Sequence, residues 1–139
     1  MPPQDLERSV ANYCGQVANN VISSRKCPRV CDYPATVVSC RMNNGNRKIY
    51  HGKSGKPRLG MYEPILENAL NQLGVVGQHA SNGCPYPIGN CAEPHAANKL
   101  IRNNNHARLN QVLFSSALRP RTQQVIPYCA NCRAIFPNL

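Results

Sequence analysis

The sequence predicts an α/β layered fold: a small mixed sheet flanked by helices, ending in a short C-terminal segment. Three observations predict it. A helical stripe of apolar residues opens the chain. An Asn-Gly pair then joins two β-type runs. Two further helical patterns precede an apolar strand. At 139 residues the chain suits one domain, spanning 1–139, with a single modest core.

Leu6, Val10, Tyr13, Cys14, Val17 and Val21 recur at three-and-four spacing, so residues 5–23 form a helix with one buried face. A proline-bearing connector, "KCPRVCDYP", follows. Residues 36–42 and 47–53 flank "NNGN" as two antiparallel strands, because Asn44 and Gly45 both tolerate the positive φ of a tight hairpin turn. Leu66, Leu70 and Leu73 mark a helix closed by Gly74. The polar stretch "GQHASNGCPYPIGN" is a loop. Asn90 suits the N-cap of the next helix, with Glu93 at the third position of a capping box and Pro94 in the first turn. Ala96, Ala97, Leu100 and Ile101 give that helix its packing face. Residues 109–117 form an apolar strand, and "RPRTQQ" leads to a Cys-x-x-Cys with one or two helical turns. The chain stops seven residues after Cys132, leaving strand 109–117 at a sheet edge that the terminal segment covers or through which the protein self-associates.

Charge narrows the partners. Sixteen Lys and Arg against six Asp and Glu give a net charge of +10. No acid lies between Asp32 and Glu63, a window holding Arg41, Arg47, Lys48, Lys53, Lys56 and Arg58, and none follows Glu93. Such a surface attracts phosphates, so nucleic acid is the expected partner. No apolar run is long enough to span a membrane. The opening "MPPQDLERSV" lacks the basic-then-apolar pattern of a signal peptide, so delivery by another route or excision from a larger protein is the expectation for any role outside the cell.

Eight cysteines stand at 14, 27, 31, 40, 84, 91, 129 and 132. Cys14 and Cys40 fall on core faces. Cys27 and Cys31 are open to a disulfide, a second metal site or simple burial. Cys84, in the loop, is not expected to be a ligand. A Cys-x-x-Cys alone is zinc-binding, redox-active or merely packed. Here Cys129 and Cys132 have a third partner in Cys91, at the start of another helix. Helix starts carry partial positive charge, which favours the thiolates a metal needs. Three protein ligands leave one coordination position open, as in a catalytic zinc site. Glu93 then sits beside that position as a general acid/base. His95, one turn from Cys91, is a rival ligand but is expected to be an ordinary helix histidine.

Cys91-Ala92-Glu93-Pro94 followed by Tyr128-Cys129-Ala130-Asn131-Cys132-Arg133 resembles the paired motifs of the zinc-dependent nucleoside and nucleic-acid (cytidine) deaminase superfamily. The "GNCAEPHA" stretch and the short C-terminus look most like its YwqJ-like branch, found as toxin domains. Cysteine replaces the commoner first histidine, and Pro127 stands one position earlier than the family's proline. The resemblance implies a cytidine-deaminase-like fold and a Zn2+ ion on Cys91, Cys129 and Cys132. It implies that Glu93 moves protons while cytosine in DNA becomes uracil. A toxin setting brings a dedicated immunity protein. Ala92, Tyr62, Tyr86, Tyr128, Arg119 and Arg121 are candidate substrate contacts by proximity to the motifs. Two other readings stand beside this one. The first is a deaminase of RNA, adenine or free nucleosides. The second is a non-enzymatic zinc-stabilised module that binds nucleic acid.

Overall fold

The structure, a computed structural model, describes residues 2–139. Its centre is β1 (Val37–Met42), all six residues of which are buried. Side chains alternate across a strand. Val38, Cys40 and Met42 therefore enter the larger core, while Val37 joins a smaller one on the opposite face. β2 (Tyr50–Lys53) pairs with β1, setting Val37 opposite Lys53 and Cys40 opposite Tyr50. β3 (Val112–Phe114) and β4 (Ala117–Leu118) share the other edge of β1, and β5 (Val125–Ile126) extends the sheet from β4.

α1 (Gln4–Ser24) covers one face of the sheet through Val10, Cys14 and Val17. α2 (Pro64–Asn71), α3 (Ala92–Arg102) and α4 (Ala130–Ile135) feed the core on the other face through Leu66, Leu70, Ala96, Leu100 and Ile135. Each large side chain buried this way contributes roughly 1.5–3 kcal/mol. The first turn of α1 is also pinned by charge. Arg41 donates to both Asp5 oxygens, at 2.6 and 3.2 Å, and the Ser116 N–H donates to Glu7. The layered α/β domain anticipated from the sequence is the one seen.

Three details differ. The sheet expected to be mixed is antiparallel in every recorded pairing. The hairpin turn is wider than a two-residue Asn-Gly turn: strand pairing stops at Cys40 and Tyr50, and neither Asn44 nor Gly45 has positive φ. Asparagine side chains shape the loop instead, Asn44 accepting from the Asn46 N–H and Asn46 accepting from the Lys48 N–H. The strand expected over 109–117 begins with a 3-10 turn at Leu109–Gln111 and breaks at Ser115–Ser116. There the Ser115 hydroxyl accepts the Ser39 N–H, and Glu7 takes the Ser116 N–H out of the ladder. Of the two outcomes expected for the edge left by β3, cover by the terminal segment is the one seen, as Asn138 donates to the carbonyls of Asn110 and Val112. No helix among the described residues is long and apolar enough to cross a membrane.

Candidate metal centre

Two backbone features seat the start of α3. Gly52 of β2 lies directly under the helix, where a Cβ would stand 2.4 Å from the Ala96 nitrogen and 2.6 Å from the Ala92 oxygen. Only glycine permits that approach. Upstream, Gly89 adopts φ +82, and its carbonyl accepts the buried Tyr62 hydroxyl. That turn delivers the chain to Cys91.

Cys91 is the N-cap residue of α3 and Cys129 that of α4, both with extended backbone and neither capping with its side chain. Asn90 is therefore not the cap, and Glu93 closes no capping box. Asn90 is held through its backbone: its N–H donates to Pro87 and its carbonyl accepts from Gly55. Cys132, one turn into α4, completes the group. The three sulfurs lie within 4.8 Å of one another, with Cys91 and Cys129 at 2.9 Å and Cys129 and Cys132 at 3.4 Å. These separations are far longer than the roughly 2.05 Å of a disulfide, and all eight cysteines are free thiols. The group is the one cluster of ligand-type side chains able to hold a metal ion among the described residues.

The sulfurs share charge unequally when no cation is present. The Cys129 thiol is held far below its usual range, chiefly by its hydrogen bonds with the Cys132 and Cys91 sulfurs. Cys91 and Cys132 are pushed up, chiefly by their hydrogen bonds with Cys129. One negative charge in a buried site discourages the next. A cation removes that penalty and makes all three sulfurs competent ligands.

Glu93 is 3% exposed. Burial, and then the negative charge on Cys129, raise its carboxyl to about 7. It is not part of the sulfur cluster, yet it lines one cleft together with Cys91 and Cys129. A carboxyl that titrates near neutrality in such a place is suited to taking and returning protons.

Of the predicted substrate contacts, Tyr86 and Arg119 line this cleft. Ala92 is fully buried against Gly52 and does not line the cleft. Tyr128 also stays out of the cleft, its hydroxyl donating to the Ser115 carbonyl because the strand break leaves that carbonyl unpaired. Arg121 is exposed on the β4–β5 turn, outside the cleft. Tyr62 packs behind the site rather than in it. His95 lies outside the sulfur cluster, and its Nε2 hydrogen-bonds the Gly55 carbonyl, as expected of an ordinary helix histidine.

Sequence reasoning missed several residues. Thr36, Ser54 and Asn90 line the cleft without belonging to any recognisable motif, although Asn90 adjoins one. Asn131, between the paired cysteines, is buried. It accepts from Asn82 and donates to the Tyr86 carbonyl, clamping loop 82–86 beside the sulfurs. Cys84, set aside from the sequence, is buried in that loop and lines a hollow shared with Cys129. Cys14 and Cys40 are buried as expected, while Cys27 and Cys31 are exposed and unbridged.

No known family, curated protein or solved structure matches this chain. The site's chemistry therefore carries the functional argument.

Proposed function

We propose that the protein is a zinc-dependent hydrolytic deaminase acting on cytosine in DNA. The observation that carries this reading is the carboxyl of Glu93, buried in the cleft that the Cys91 and Cys129 sulfurs line but apart from the ligand cluster. The donor set fits zinc. The three sulfurs, all within 4.8 Å of one another, would hold the ion between them. Thiolates favour zinc over hard cations. Zinc held this way supplies a water that ionises near neutral pH.

Glu93 takes a proton from the attacking water and passes it to the ring nitrogen beside the reacting carbon. It then takes the remaining proton from the hydroxyl added to that carbon and gives it to the departing amine. The balance is cytosine plus water to uracil plus ammonia, with a C–O bond formed and the C4–N bond broken. Tyr86 offers a face for the base, and Arg119 offers a cation at the cleft wall. The net charge of +10 suits a polynucleotide better than a free nucleoside. A toxin setting with an immunity protein belongs to the same proposal and follows from the motif resemblance alone.

Cys84 favours a second reading, a closed structural zinc site in a binding module, because a fourth cysteine shares a hollow with Cys129. One experiment separates the two. Zinc-loaded protein is incubated with single- and double-stranded DNA, RNA, cytidine and adenosine, and products are read by mass. Uracil in DNA supports the deaminase. Absence of conversion on every substrate, with four sulfurs at the metal by X-ray absorption, establishes the structural site instead.

A further inference from the structure

A basic groove runs beside the cleft. Lys53 at the end of β2, Lys56 and Arg58 in the following loop, and Lys99 and Arg102 on α3 line it, with His95 at its base. All five cations are exposed, and none takes part in a recorded ion pair. No Asp or Glu lines the groove; Glu67 lies in the next hollow, beyond Arg58. The cations crowd one another, the Lys99 ammonium being lowered by burial and then by Lys53. An ordinary solvated surface mixes both signs, whereas this one leaves five like charges uncompensated. The groove holds about 430 Å³, room for a run of sugar-phosphate rather than for one small ion.

Ser54 lines both the groove and the cleft. The ridge it forms with Gly55 is fixed on several sides. Ser54 exchanges hydrogen bonds with the Thr36 backbone, the Gly55 N–H donates to Asn90, and the Gly55 carbonyl meets His95. A strand whose base enters the cleft therefore carries its neighbouring phosphates across a rigid ridge into the groove.

We propose that this groove binds the phosphodiester backbone of a single-stranded polynucleotide, the flanking part of the strand whose base occupies the cleft. The inference names the substrate track of the deaminase reading and rests on that reading. Its ligand chemistry is shared by DNA and RNA, and the test carries an arm for each.

The probes are oligothymidine and oligouridine, which lack the reacting bases, so binding is read without turnover. Fluorescence anisotropy across a salt series compares the parent with a triple variant, Lys53→Gln, Lys56→Gln, Arg58→Gln. None of these side chains makes a recorded side-chain hydrogen bond, so metal content and melting serve as folding checks. A control variant neutralises three exposed cations elsewhere: Arg8→Gln, Lys26→Gln, Arg108→Gln. The groove variant is expected to bind at least about tenfold more weakly and to flatten the log-log salt slope by about 2, at roughly 0.7 per lost phosphate contact. A parental slope in the groove variant, an equal loss in the control, or equal competition by polyglutamate overturns the proposal. Base conversion is scored separately on cytosine-bearing strands. Conversion with an unchanged slope sinks the groove alone. A changed slope with no conversion sinks the deaminase and leaves the groove standing.

Discussion

Gly52 and Ala96 are in backbone contact: a Cβ on the glycine would come within 2.4 Å of the Ala96 nitrogen. Backbone cannot yield as a flexible side chain does. Gly52→Ala is therefore expected to push α3 off β2, costing about 1–3 kcal/mol as an overpacked core does. Denaturant melts measure that cost. Because Cys91 and Glu93 ride on the displaced helix, metal affinity should fall in the same variant. An alanine variant as stable as the parent removes this contact from the account of how the site is positioned.

The Asp5–Arg41 pair predicts an acid-side loss of stability. Arg41 is buried, and its hydrogen bonds to Asp5 hold that carboxyl below its usual value of 3.8. A carboxyl lowered by folding stabilises the fold at pH values above its unfolded pKa. That contribution disappears as pH falls through the lower folded value. Asp5→Asn should therefore destabilise the protein near neutrality and leave it little changed at the acid end. Asp5 is partly exposed, which reduces the expected cost to on the order of 1–2 kcal/mol. Urea melts at several pH values check both sign and size.

Glu93→Gln separates chemistry from architecture. The amide fills the same buried space but cannot accept a proton. Zinc content should stay at the parental level while ammonia release falls by about 10²–10⁴. Parental turnover in this variant would refute Glu93 as the proton carrier.

Serine substitutions divide the cysteines into two classes. Cys91→Ser, Cys129→Ser and Cys132→Ser should each lose metal and melt lower, since a hydroxyl is a poor zinc ligand. Cys27→Ser and Cys31→Ser, both exposed and unbridged, should match the parent in each measurement. Elemental analysis paired with calorimetry reads both properties.

Much of the frame was legible because it rests on local periodicity. Of the α1 stripe, Leu6, Val10, Cys14 and Val17 are buried and Tyr13 and Val21 half-buried, and β1 forms within the expected 36–42. The convergence of Cys91 with Cys129 and Cys132 was legible for a different reason. Metal sites constrain residue type, and residue type is visible without coordinates. What escaped depends on partners far along the chain. Glu7 breaks the strand at Ser116 from more than a hundred positions away. Asn46 reaches Asn104, so the hairpin loop answers to the end of α3 as well as to its own turn residues. Gly52 looks like any strand glycine until a helix lies upon it. Thr36, Ser54 and Asn90 carry no motif, and only the folded cleft assembles them.

The sulfur triad ties together segments that are 38 positions apart. In a core this small, an ion held at that junction would brace both segments at once. Under the zinc reading, chain and ion then form one cooperative unit. Withdrawing the metal would then shift the chain toward unfolded, protease-sensitive forms.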